Sequence, residues 1–287
     1  MDEEKNKNKN QLAVINNNFL AKVSNSLSIT NKLITEINSR SYVPSDDFRV
    51  AIPDVNFQKY LSEALGIVIT EGIVVYRDVK NITKINCSNC SIESLAGIEY
   101  FNLLSDLCCS NNQIKHLDIS KNSELNSLYC SNNLILKLDL SKNIKLEYLE
   151  ILNNYLENID VSKNSNLFFL DCAKNKLINL DISKNNKLNL LYCGNNKLKK
   201  LDISKNIDLK FFHCSDNQLT VLEIVENIKL VYLDCSINSI FNLDLSSNKY
   251  ITELNCSNNK LTLLDVSKNT TIEKLDYSKN PIINFIN

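Results

Sequence analysis

From Ile82 onward the apolar positions of the chain repeat as a block. One block reads Leu125-x-x-Leu128-x-Cys130-x-x-Asn133-x-Ile135-x-x-Leu138-Asp139-Leu140-Ser141-Lys142-Asn143. The next carries Leu146, Leu149, Ile151, Asn154, Leu156, Ile159, Asp160 and Val161 in the same phases, 21 residues on. In Leu128-Tyr129-Cys130 the apolar side chains alternate, which is the period of a strand with one buried face. The following Ile135, Leu138 and Leu140 are spaced to line the return half of a turn. Self-similarity at this period predicts a solenoid, each block one coil that cannot bury its apolar face without its neighbours. The reading is an α/β right-handed solenoid. It has one parallel strand per coil on the concave side, centred on residues 107–109, 128–130, 149–151 and so on to 275–277. Irregular, 3-10 or short extended segments form the convex side.

Four columns run through the blocks. Cys109, Cys130, Cys172, Cys193, Cys214, Cys235 and Cys256 share one phase, with Ile151 and Tyr277 filling it elsewhere. Asn112 recurs without a break as Asn133, Asn154, Asn175, Asn196, Asn217, Asn238, Asn259 and Asn280. A chain leaving a strand strands backbone donors and acceptors, and a buried asparagine has one group for each. A ladder of asparagines, each also supporting its neighbour, is therefore expected. On the convex side run a carboxylate column (Asp118, Asp139, Asp160, Asp181, Asp202, Glu223, Asp244, Asp265) and an ammonium column (Lys121, Lys142, Lys163, Lys184, Lys205, Lys268). One carboxylate per coil beside a lysine falls far short of the six to eight oxygens calcium takes. The two columns read as a solvated, mutually neutralised face.

The spacing matches the leucine-rich-repeat pattern. Leu254-Asn255-Cys256-Ser257-Asn258-Asn259 and Leu264-Asp265-Val266-Ser267-Lys268-Asn269 resemble the cysteine-ladder repeats of the bacterial internalin-type surface proteins. Ile52-Pro53-Asp54-Val55-Asn56-Phe57-Gln58-Lys59-Tyr60-Leu61 resembles the helical N-terminal cap of that group, and Gly97-Ile98-Glu99-Tyr100-Phe101 its first repeat. The resemblance covers about residues 50–287. It implies a non-enzymatic module that binds proteins or glycans, often at a bacterial surface, without carrying over any one ligand.

Charge and cysteine usage narrow the classes. Net charge is −1, so there is no electrostatic footprint for nucleic acid. No apolar run approaches the ~18 residues that span a bilayer. The start, Met1-Asp2-Glu3-Glu4-Lys5-Asn6, has neither the basic nor the apolar segment of a secretory signal. The compartment stays open: retention in the cell, an unconventional exit, or a partial chain all fit. The ladder cysteines point the same way into one core, with parallel Cβ vectors that suit a disulfide poorly. They read as reduced, buried thiols acting as small apolar groups. Cys87-Ser88-Asn89-Cys90 and Cys108-Cys109 lack the second pair of a zinc site. Cys108 falls on the concave phase and is expected to be the most reactive thiol.

Before the repeats, residues 1–11 read as polar and disordered, and Leu12, Ile15, Phe19, Val23 and Leu27 recur at helical spacing over 12–38. That segment suits either an extension folding back on the cap or a partner-binding helix. Residues 39–47 read as a linker. Asp54 is placed to cap a helix burying Phe57, Leu61 and Ala64 and stopping at Gly66. Ile67–Ile69 and Ile73–Val75 read as extended pieces around a turn at Glu71-Gly72. The expected division is 1–45 for the tail and helical extension, 46–80 for the cap and 81–287 for the solenoid. The chain stops inside a repeat with no polar cap, so its last coil is a candidate for self-association.

No nucleophile motif, zinc-protease motif or phosphate loop is present, and neither His116 nor His213 has a nucleophile partner in sequence. No enzyme activity, metal or cofactor is expected. The concave phases differ from a plain scaffold. Tyr148, Phe169, Leu190, Phe211 and Tyr232 fill one phase in five consecutive blocks. Tyr129, Glu150, Asp171, Tyr192, His213 and Asp234 fill the next, and the phase after cysteine is small. An aromatic strip on an open face fits a contact surface for a protein or glycan ligand. It also fits cross-strand stacking that stabilises the sheet. The competing class is a scaffold or regulatory subunit that engages its partner through residues 12–38.

Overall fold

The computed structural model describes residues 44–287. The readings for residues 1–11 and 12–38 lie outside the described residues, as does most of the linker. Strand β1 (Arg49–Ala51) leads into helix α1 (Val55–Leu65). Asp54 Oδ1 accepts from the backbone N–H groups of Asn56 and Phe57, and its Oδ2 from Glu93 and Ser94 in the first coil. One carboxylate thus caps the helix and ties it to the solenoid. Gly66 ends α1 in the left-handed region at φ 68°. Phe57 and Leu61 are buried, but Ala64, on the same face one turn further on at the end of the helix, is exposed.

Strand β2 (Ile73–Val75) pairs antiparallel with β1, and a bridge between Thr70 and Ile73 closes the turn at Glu71-Gly72. A short helix α2 (Tyr76–Val79) follows, with no sequence signal beyond one turn of apolar spacing. Gly97 sits at φ 100°, and a Cβ there would stand 2.3 Å from Ile52 Cδ1. That close approach packs β1 against the first coil.

The solenoid sheet then builds one three-residue strand per coil. Its strands are β3 (Lys84–Asn86), β4 (Asp106–Cys108), β5 (Ser127–Tyr129), β6 (Tyr148–Glu150), β7 (Phe169–Asp171), β8 (Leu190–Tyr192), β9 (Phe211–His213), β10 (Tyr232–Asp234), β11 (Glu253–Asn255) and β13 (Lys274–Asp276). These ten form one parallel sheet in chain order. The strands begin one residue earlier than the apolar alternation places them. The ladder cysteine follows the strand instead of ending it, although its N–H still reaches the next coil, as from Cys130 to Glu150 O at 2.8 Å. The opposite side is irregular turn, with a 3-10 turn at Ile98–Tyr100 and a short pair, β12 (Leu263–Asp265) with β14 (Asn284–Ile286), in the last coils.

The core is a stack of layers. The middle strand residues Leu107, Leu128, Leu149, Leu170, Leu191, Phe212, Leu233 and Leu254 are buried together with the seven ladder cysteines and Ile151. No thiol is bonded to another. Burial holds the ladder thiols protonated: Cys256 is pushed up to about 12, with the Asp276 charge adding to the effect.

Two asparagine ladders, not one, clip the coils together. Asn133 Oδ1 accepts from the N–H of Ile114, and its Nδ2 donates to Cys109 O and Cys130 O, at 3.0–3.1 Å. Every member of that column repeats this geometry one coil on. The second ladder is formed by Asn122, Asn143, Asn164, Asn185, Asn206, Asn227, Asn248 and Asn269, all buried. Asn185 Nδ2 donates to Val161 O at 3.0 Å and Asn164 O at 2.8 Å, both in the preceding coil. The Oδ1 atoms of this second column find no hydrogen-bond partner among the described residues.

Candidate functional site

The convex columns resolve into local structure. Asp139 Oδ1 accepts from the N–H of Ser141 at 2.8 Å, and Asp118, Asp160, Asp181, Asp202, Asp244 and Asp265 do the same two residues on. These bonds, ahead of the neighbouring lysine, hold the carboxyls below their ordinary value. No ion pair joins the aspartate and lysine columns among the described residues. The solvated face expected here is a column of capped turns with an ammonium column beside it, whose charge adds to the lowering of the aspartates.

On the open face of the sheet, register brings the two sequence rows together. Tyr148 pairs with Phe169, Phe169 with Leu190, Leu190 with Phe211 and Phe211 with Tyr232. In the second row Tyr129, Glu150, Asp171, Tyr192, His213 and Asp234 follow one another on successive strands. All eleven residues share one face, because each flanks a buried middle residue. They are less open than expected. Only Phe211 is exposed, at 37%, and the others are half-buried by their neighbours in adjacent strands. Phe169 meets Tyr192 edge-on at 6.0 Å between ring centres, and Tyr192 meets the His213 ring at 6.2 Å. Tyr148 packs on Phe168, which precedes β7 and lies outside both rows.

The polar members have assigned partners. Asp171 Oδ1 accepts from Ala173 N–H at 3.0 Å and Asp234 Oδ1 from Ser236 N–H at 3.0 Å, so both turn the chain out of its strand. Glu150 Oε1 accepts from Ser131 Oγ at 2.7 Å. Burial pushes the Asp171 carboxyl up to about 6, with Glu150 adding repulsion against the Ala173 bond. Burial likewise raises Tyr129, Tyr192 and Tyr232, so their hydroxyls stay protonated.

His213 Nε2 lies 2.8 Å from Ser215 Oγ and 3.6 Å from Asp234 Oδ2. This is not a nucleophile triad: both contacts fall on one ring nitrogen, whereas a relay needs one on each. Burial lowers the His213 pKa more than Asp234 raises it, so the ring is neutral at neutral pH and the close approach is a dipolar contact. No group of three or more metal-ligating side chains converges among the described residues. Cys108 is half-buried, with Sγ 2.9 Å from Ser88 Oγ.

No protein-family model and no curated protein matches the sequence. Solved structures do. The functional domain of InlJ from Listeria monocytogenes, which includes a cysteine ladder, superposes with TM-score 0.68 at 30% identity over 84% of this chain. The chain is a leucine-rich-repeat solenoid with a cysteine ladder, similar in both respects to that internalin domain. It spans 62% of the length of that internalin domain. A leucine-rich-repeat protein of Leptospira interrogans superposes with TM-score 0.56 at 21% identity, covering 66% of this chain and 62% of its own. The ectodomain of the Arabidopsis thaliana receptor kinase GASSHO1/SCHENGEN3 does so with TM-score 0.60 at 24% identity, covering 64% of this chain and 25% of its own. The last two establish the fold alone. No helix of the described residues in this internalin-like chain is long and apolar enough to cross a membrane.

Proposed function

We propose that the chain is a non-enzymatic recognition module that binds a protein through the open face of its sheet. The observation that carries this is the in-register row Tyr148, Phe169, Leu190, Phe211, Tyr232 on β6 to β10. Five consecutive coils place apolar side chains in a phase that the flanking coils fill with Asp106, Ser127, Glu253 and Lys274. The core does not use them, since each coil fills its own layer with the middle strand residue and the cysteine. Aromatic side chains on a preformed sheet give contact area at small entropic cost, which is what interface hot spots are made of. The plant receptor ectodomain of the same fold was solved in complex with CASPARIAN STRIP INTEGRITY FACTOR 2, a protein-binding use of such a solenoid. The test pairs Phe169→Ser with Phe211→Ser. Capture of a protein partner should be lost while the unfolding transition moves by no more than about 1 kcal/mol. Unfolding of the double variant would make the row structural stacking, and capture of a glycan in place of a protein would overturn the partner class.

A further inference from the structure

We propose that Glu150 and Asp171 together seat an arginine side chain of the protein that this face recognises. The inference rests on the recognition reading and adds the chemistry of the partner. Glu150 and Asp171 are register partners on β6 and β7, so their backbones stand at the ~4.8 Å spacing of adjacent strands and the Glu150 charge acts on Asp171. Like charges placed directly opposite are destabilising. Two other carboxylates of the sheet face are offset, Asp106 by Lys84 at 3.7 Å and Glu253 by Lys274 at 2.6 Å. Neither Glu150 nor Asp171 has a cationic partner within ion-pair distance among the described residues.

Each of the two carboxylates has one oxygen engaged and one to spare. Glu150 Oε1 is held by Ser131 and Asp171 Oδ1 by Ala173, while Glu150 Oε2 and Asp171 Oδ2 accept no hydrogen bond among the described residues. The fixed oxygens set the orientation of the free ones. Tyr129 flanks the pair on β5 and Tyr192 on β8, with Phe169 edge-on to Tyr192. A cation entering here meets two free acceptors and aromatic rings on either side. Guanidinium fits best: its planar fork offers paired N–H donors to two acceptors, its flat face stacks on rings, and it sheds water more readily than ammonium. Calcium would find two carboxylates where it takes six to eight oxygens. The elevated Asp171 carboxyl agrees with the geometry: burial raises it most, Glu150 repulsion adds to that, Lys174 beyond ion-pair distance only partly opposes it, and a cation seated between the two would lower it.

The experiment selects peptides from a random phage library on the whole protein and synthesises a winning peptide. Arginine should recur among the winners. Replacing it with citrulline, equal in shape and uncharged, should weaken binding about tenfold or more. Glu150→Gln with Asp171→Asn, which keeps the Ser131 and Ala173 bonds, should weaken the arginine peptide equally and leave the citrulline peptide unchanged. The proposal is overturned by winners without arginine, by a lysine replacement that binds as tightly, by failure to select any peptide, or by calcium binding that the double variant abolishes. Peptides that ignore the charge changes yet are lost on Phe169→Ser with Phe211→Ser would remove the arginine and leave the recognition face standing. Peptides that ignore both would remove both.

Discussion

A Cβ on Gly194 would stand 2.6 Å from His213 Cε1 and 2.9 Å from its Nδ1, with Ser215 O at 3.1 Å behind them. Gly194 has no positive φ, so it is there for space, not for backbone freedom. Other coils carry Ser110, Ser131, Ser236 or Ser257 in this phase. The coil preceding His213 has none, and the imidazole fills the vacancy and reaches Ser215 Oγ.

Gly194→Ser should therefore force the ring outward, destabilising the protein by about 1–3 kcal/mol, as overpacking does. In a His213→Ala background the same change should cost little, giving a clear coupling in a double-mutant cycle. Freed from burial, His213 should titrate closer to its ordinary value. Denaturant unfolding and an NMR titration check both; additive costs with an unchanged titration would refute the packing relationship.

The second asparagine ladder makes a contrasting prediction within one coil and the next. Asn185→Ala removes two donations to Val161 O and Asn164 O from a fully buried site. The expected loss is roughly 1–3 kcal/mol. Lys205→Ala, on the solvated surface, should stay within about 0.5 kcal/mol. Equal shifts in melting temperature would count against the ladder.

That ladder shows where sequence reasoning stops. The 21-residue phase contains both asparagine columns equally, and the block written out above ends on Asn143. Only the first column follows a strand, where stranded backbone groups are foreseeable from the pattern. The second sits in an irregular turn, and its donations to the preceding coil depend on how coils stack. The turn role of the convex aspartates escaped for the same reason: Asp-x-Ser is a turn signal, but beside a lysine column it reads first as charge. The candidate site was legible as a face, because side-chain alternation fixes which residues share it. Its partial closure was not, since that depends on rings such as Phe168 and Tyr192 leaning across strands. The β1–β2 pairing was missed because three-residue strands leave almost no period to read.

Thiol reactivity should divide by burial. Desolvation pushes the Cys87 thiol up to about 12 and raises the wholly buried ladder thiols strongly, so at neutral pH they are protonated as well as shielded. Cys90 and Cys108, each half-buried, should alkylate first in the native protein. Mass spectrometry after a short exposure to iodoacetamide reads the order directly. Early labelling of Cys193 or Cys214 would show that the coils open more easily than this core allows.

Asp171 predicts a pH dependence of stability with a definite sign. Its folded-state carboxyl is raised from 3.8 to about 6, so the native protein binds that proton more tightly than the unfolded chain does. The stabilisation this supplies is complete below pH 4 and is lost as pH rises through about 6. A rise of this size corresponds to roughly 3 kcal/mol at most. Asp171→Asn keeps the acceptor for Ala173 N–H and removes the charge that sits beside Glu150. The variant should melt with the parent protein at pH 4 and above it at pH 8, by up to the same roughly 3 kcal/mol. Glu150→Gln should give a smaller gain of the same sign, since it removes only the repulsion and leaves the burial. A uniform offset across pH would mean that the two carboxylates do not strain one another, and the case for a cationic partner between them would lose its energetic basis.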